Sequence, residues 1–160
     1  FSKAYRLTGH RVGALMASEA RLAEVEKFLD TVAICAPQIG QIGALWGMRN
    51  LGDWLAGERR EILARRDALS AGFQRLPRWQ LLGCGAYFAY VRHPFDKPSD
   101  LVAREMVEAA ALLTLPGTMF GPTRTEGGTG QAEATLRIAF ANADAAGLAE
   151  VIDRLSKLEL

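Results

Sequence analysis

Few residues in this chain have the type and setting to do chemistry. They are one lysine close to the start and two arginines, each among small or turn-forming neighbours. In Ser2-Lys3-Ala4-Tyr5-Arg6-Leu7-Thr8-Gly9-His10-Arg11-Val12-Gly13 an amine and a guanidinium stand eight residues apart. Lysine is scarce, four against fifteen arginines, so composition does not account for Lys3. Gly9 and Gly13 permit close backbone approach or a positive φ on either side of Arg11. In Ala134-Thr135-Leu136-Arg137-Ile138-Ala139-Phe140-Ala141-Asn142 a two-residue period puts Leu136, Ile138 and Phe140 on one face. Arg137 then points to the other face, between the small Thr135 and Ala139, with room for a ligand. Spacing alone fits Lys3 and Arg11 equally well as two surface cations, and Arg137 as a solvated one.

Other chemistries find little support. Gly127-Gly128-Thr129-Gly130 is not fed by a strand and no GK[ST] follows, so it is not a phosphate loop. The two histidines are 83 positions apart with no acidic cluster between them, which argues against a metal site. There is no GxSxG for a serine hydrolase. The net charge is +1 and the basic residues are dispersed, so no nucleic-acid partner is expected. No apolar run approaches the ~20 residues that span a bilayer, and no membrane partner is expected. Cys35 and Cys84 stand singly among apolar neighbours and read as reduced core thiols of a cytoplasmic protein. At 160 residues, 49% hydrophobic and 23% charged, the chain has material for a real core.

The elements that must position these residues follow from periodicity. Val12, Ala14, Leu15 and Met16 suit a buried strand. Ser18 is placed to cap a helix carrying Leu22, Val25, Phe28, Leu29 and Val32, and Ile39, Ile42, Leu45 and Trp46 suggest a short apolar helix after Pro37. From about Asn50 to Leu76 an apolar stripe of Leu51, Leu55, Ile62, Leu69, Phe73 and Leu76 predicts the longest helix, a strut of about 27 residues and about 40 Å. Residues 79–92 read as strand, Ser99 as the cap of a helix to about Ala111, and Leu112–Leu115 as a strand stopped by Pro116-Gly117. Residues 121–133 read as a loop and 134–141 as a strand. Asn142 or Asp144 then caps a final helix to about Lys157. That order predicts an α/β domain with a small mixed sheet.

Residues 2–13 resemble the pyridoxal-phosphate lysine motif of class I/II aminotransferases, the fold-type-I enzymes: Ser-Lys, an aromatic two residues on, then Gly-x-Arg-x-Gly. The run Leu136-Arg137-Ile138-Ala139-Phe140-Ala141 resembles the substrate-carboxylate motif of the same family. Gly85-Ala86-Tyr87-Phe88 and Pro116-Gly117-Thr118-Met119-Phe120-Gly121 resemble two further family stretches in the same order. By this resemblance Lys3 forms the Schiff base with pyridoxal 5'-phosphate and then moves the substrate α-proton. Arg11 holds the cofactor phosphate, and Arg137 clamps the α-carboxylate, each a bidentate match for an anion. His10 departs from the aromatic residue common before this arginine.

The resemblance implies an aminotransferase acting on an amino acid and a 2-oxo acid, with a homodimeric parent. The chain opens at Phe1 without a methionine, and the family's upstream cofactor residues are not found in it. It is therefore expected to be a C-terminal fragment of such an enzyme. Residues 1–49 would end the large cofactor domain, and residues 50–160 would hold an interdomain helix and the small α/β domain. By itself it is expected to be inactive. A C–S β-lyase on the same fold would share Lys3, Arg11 and Arg137. A non-catalytic binding or assembly module could also keep this half of the fold.

Overall fold

A computed structural model of the chain describes residues Phe1–Leu160, which divide into two compact units, Phe1–Arg59 and Arg60–Leu160. Three helices come first: α1 (Glu19–Val32), α2 (Gln38–Asn50) and α3 (Gly52–Phe73). Then follow β1 (Gln80–Gly85), β2 (Phe88–Arg92), α4 (Ser99–Ala110), β3 (Leu115–Pro116), β4 (Thr135–Ala139) and α5 (Ala145–Lys157). The helix α3 passes from the first unit into the second. No helix is long and apolar enough to cross a membrane.

The second unit is built on β4. Its odd and even positions face opposite ways, so Leu136 and Ile138 join a core with Ala89 and Val91 of β2. Helices cover that face: Leu69 and Phe73 of α3, Val102, Ala103 and Met106 of α4, and Leu148, Ile152 and Leu155 of α5. The last three recur at steps of four and three, the spacing of one helical face. Asp144 caps α5 by accepting from the Gly147 amide at 2.8 Å. Arg154 of α5 donates to the Ala110 and Ala111 carbonyls at 3.0 and 3.2 Å, satisfying the open end of α4. At Gly72 a methyl would stand 2.4 Å from Ile152 Cγ1, so α3 and α5 approach as closely as they do because no side chain intervenes.

The sheet order is β1-β2-β4-β3, and every pairing is antiparallel rather than mixed. For β1 and β2 the reason is local: a two-residue turn joins them, and parallel neighbours would need a crossover of a dozen residues or more.

Other sequence expectations differ from the folded chain. Residues 12–16 form no strand; only Val12 is buried there, while Leu15 and Met16 are exposed. A strand needs a neighbour for its amides and carbonyls, and all four strands of the sheet lie in the second unit. The long helix has 22 residues, about 33 Å, and ends at Phe73. Ser99 is the first residue of α4, not its cap; its hydroxyl donates to the Ala132 carbonyl at 2.9 Å. The third strand is only Leu115–Pro116. Cys35 is exposed and not a core thiol, whereas Cys84 is half-buried and packs against the core; both are unpaired.

His93, just past β2, is 5% exposed. Its Nε2 lies 3.2 Å from the Glu133 carbonyl oxygen, which can only accept, so Nε2 carries the proton. Nδ1 is buried without a partner. Burial pushes the imidazole pKa below its ordinary 6.5, against the opposing pull of the hydrogen bond to the Glu133 backbone. The unfolded chain therefore takes up this proton at higher pH than the folded one. Stability from neutral His93 is complete above about 6.5 and is lost as pH falls toward the lower folded value. The urea midpoint of the wild type should drop between pH 7 and pH 5, and His93→Gln should flatten that drop. Equal slopes in both proteins would clear His93 of the effect.

Candidate functional site

Lys3 and Arg11 are carried by a turn-rich segment that rests on α2. Gly40, Gly43, Ala44 and Gly47 share one face of that helix, and of these Gly40, Ala44 and Gly47 are buried. The larger Ile39, Ile42, Leu45 and Trp46 are exposed instead. The segment packs into the resulting groove. A methyl on Gly40 would stand 2.9 Å from the His10 carbonyl oxygen and 3.3 Å from Val12 Cβ. One on Gly47 would stand 2.9 Å from Tyr5 Cδ1, and one on Gly43 would stand 3.8 Å from Leu7 Cδ2. Alternate parts of residues 5–12 thus lie against α2, and the residues between are turned outward.

Hydrogen bonds tie the two ends of the segment together. The Tyr5 amide donates to the Phe1 carbonyl at 3.1 Å, and Thr8 Oγ1 donates to the Ser2 carbonyl at 3.1 Å. Arg11 Nη1 in turn donates to the Thr8 carbonyl at 3.0 Å. So Thr8 links the residue beside Lys3 to the guanidinium of Arg11. Positive φ falls on Arg11 itself, at 47°, and not on Gly9 or Gly13. Arg6 is engaged elsewhere, in a 2.6 Å salt bridge with Glu58 and over the Trp54 ring at 5.4 Å. Lys3 is exposed, and neither it nor Arg11 forms a salt bridge.

Arg137 stands in the second unit, at the centre of β4 on the face away from the helices. It pairs with Tyr90 of β2 on one side and Leu115 of β3 on the other. Its guanidinium carbon is 4.1 Å from the centroid of the Phe88 ring and 4.1 Å from that of Phe120. It is half-buried and has no carboxylate partner. The next outward residue, Thr135, is fully buried. Thr135 Oγ1 lies 2.8 Å from the Tyr90 hydroxyl and 2.8 Å from the Gln131 carbonyl. Its single proton serves the carbonyl, which cannot donate, so the Tyr90 hydroxyl supplies the other bond. A methyl on Gly117 would lie 2.2 Å from Thr135 Oγ1, 2.5 Å from the Ala132 carbonyl oxygen and 2.8 Å from the Tyr90 hydroxyl. Only glycine fits there.

Comparison with known proteins places these segments in one family. The family model for class I and II aminotransferases matches residues 1–155. The chain belongs to the class I and II aminotransferases. An aromatic-amino-acid aminotransferase from Thermococcus litoralis is 28% identical over 164 residues, covering 99% of this chain and 39% of that protein. The aromatic aminotransferase ISS1 of Arabidopsis thaliana is 27% identical over 127 residues, covering 76% of this chain and 32% of its own length. Among solved structures, an aminotransferase from Staphylococcus aureus superimposes with a TM-score of 0.84 at 22% identity, over 98% of this chain and 39% of that one. N-succinyldiaminopimelate aminotransferase from Mycobacterium tuberculosis gives 0.79 at 21% identity, over 97% and 39%. These likenesses show the fold-type-I aminotransferase fold. The chain spans about 39% of the length of these relatives, apart from the Arabidopsis protein at 32%.

Sequence reasoning selected Lys3, Arg11 and Arg137 in this aminotransferase chain. It did not find the residues that hold them. The small face of α2 was legible as Gly-x-x-Gly-Ala-x-x-Gly, but the flanking Ile39, Ile42, Leu45 and Trp46 drew attention to the wrong side of the helix. Phe88 and Phe120 lie inside the two supporting stretches without any pattern that pairs them with Arg137.

Gly40→Ala isolates the α2 seat. Alanine is the better helix former by roughly 1 kcal/mol. Its methyl nevertheless meets a backbone oxygen, which cannot swing aside as a flexible side chain would. Hydrogen exchange should quicken at the amides of His10–Val12 while α2 itself stays protected. Unchanged exchange at these three amides would mean the segment does not depend on the small face.

Proposed function

We propose that the chain is the C-terminal part of a pyridoxal-phosphate-dependent aminotransferase, which exchanges an amino group between an amino acid and a 2-oxo acid. The supporting observation is the family match, which takes in Lys3, Arg11 and Arg137 together. In this reading residues 1–49 end the cofactor domain, and residues 50–160 form the connecting helix and the small domain. The relatives are named aminotransferases, which favours transfer over β-elimination by a lyase or a binding role without catalysis. The family likeness also leads us to read the whole protein as a cytoplasmic homodimer.

The donor set suits that cofactor. Lys3 offers an amine that no carboxylate engages, and Arg11 offers a guanidinium with one nitrogen bonded to Thr8 and the rest uncommitted. Bound pyridoxal phosphate supplies an aldehyde to hold the amino group and a ring that takes up electrons from the α-carbon. Arg11 binds the phosphate dianion. The Lys3 Nζ carries the proton between the α-carbon and the cofactor. Arg137 meets the α-carboxylate with its planar fork.

Two measurements on the whole protein test this. Lys3→Ala should abolish formation of glutamate from 2-oxoglutarate and leave the circular dichroism unchanged, since Lys3 is exposed. Near-normal turnover would remove it from the role, and pyruvate with ammonia from a β-substituted amino acid would point to the lyase. Arg137→Lys keeps charge but loses the fork, about 1.5–3 kcal/mol for a charge-assisted bond, so KM for the amino acid should rise roughly 10- to 100-fold. Arg11→Lys should weaken cofactor retention instead. The same profile in both variants would contradict the division of labour.

A further inference from the structure

We infer that Phe88 and Phe120 are positioning residues for Arg137: together they clamp the two faces of its guanidinium, leaving the in-plane edge as its one route to an anion. The inference rests on the reading of Arg137 as the carboxylate ligand and adds to it the device that presents the arginine.

A guanidinium is planar, with its five N–H donors in the plane and two faces that stack on aromatic rings. Both ring centroids lie 4.1 Å from the same guanidinium carbon. That separation is short enough for face-to-face stacking and lies well inside the ~6 Å over which a cation is attracted to a ring face. One planar group offers one face to each ring. Water is then kept from both faces, and whatever hydrogen bonds Arg137 makes to a ligand must run in its plane. A carboxylate meets such an edge with two parallel bonds.

The two rings are fixed by different parts of the second unit. Phe88 comes from β2, where it pairs with Ala139 and so lies diagonal to Arg137, whose own partner is Tyr90. Diagonal neighbours on one sheet face are within reach of aromatic and long side chains. Phe120 comes from the opposite side, after the 3₁₀ turn Gly117–Met119, and its amide donates to the Gly117 carbonyl at 2.8 Å. That turn is held against β2 and β4 where Gly117 faces Thr135, Ala132 and Tyr90. Neither ring is needed to fill the core, for Phe88 is 38% and Phe120 45% exposed. Arg137, between them, has no salt bridge, so the clamp holds a cation that nothing in the chain neutralises.

The test uses 2-oxoglutarate as the probe in the whole protein. Phe88→Leu and Phe120→Leu should each raise its KM about 3- to 10-fold, more than either lowers kcat, from the loss of one stacked face. Phe88→Tyr and Phe120→Tyr keep a ring and should stay within about twofold of the wild type. Should Arg137→Lys raise KM while both leucine variants leave it unchanged, the clamp is refuted and the carboxylate role survives. No effect of Arg137→Lys would overturn both together. A second measurement needs no turnover. In the NMR spectrum of the 160-residue chain the Arg137 Nε–H proton should be shifted upfield by the two rings, and less so in each leucine variant. A resonance at the position of the exposed arginines, unmoved by either substitution, would overturn the clamp whatever the kinetics show.

Discussion

Burial of one face of β4 is the constraint from which the second unit's chemistry follows. Leu136 and Ile138 are held in the core by α3, α4 and α5. A strand cannot bury two residues two apart without turning the residue between them the other way. Arg137 is therefore outward by necessity, not by any interaction of its own. A one-residue slip of register would put a guanidinium among Leu69, Met106 and Leu155, where an unpaired charge would cost several kcal/mol. The apolar core thus fixes the direction of the polar residue more firmly than any hydrogen bond could.

The first unit works by the opposite device. Its helix α2 has little apolar bulk on its packed side, and what positions Lys3 and Arg11 is the absence of side chains at Gly40 and Gly47. Backbone can then approach helix closely, as the His10 carbonyl does beside Gly40. The exposed Ile39, Ile42, Leu45 and Trp46 lie on faces this segment leaves open, and α1 buries none of its residues.

Where one period ran long enough, the sequence could be read directly. The final helix, capped by Asp144 rather than Asn142, and the helix after Pro98 appear where the pattern put them, and the alternation in 134–141 forms strand over Thr135–Ala139. Residues 12–16 could not be read that way, because apolar residues in a row specify a strand only together with a strand to pair with. Sheet direction was missed for a related reason: it depends on which strands become neighbours, and β2 lies beside β4, not beside its sequence neighbour β3. Arg137 was legible from alternation, whereas its two rings were not. Phe88 and Phe120 meet it through strand register and a 3₁₀ turn that only the folded chain brings together.

The ends of the sheet have one more consequence. A sheet of four strands in the order β1-β2-β4-β3 has two outer edges, and exposed edges invite pairing with other chains. At one edge β3 has two residues, and the second is Pro116, which has no amide hydrogen to donate. At the other, β1 shifts register between Leu81 and Gly83, which breaks the even row of donors and acceptors. Neither margin offers a straight, complete template. Both edges are thus poor seats for strands from further copies, which disfavours growth of the native sheet into fibrous aggregates.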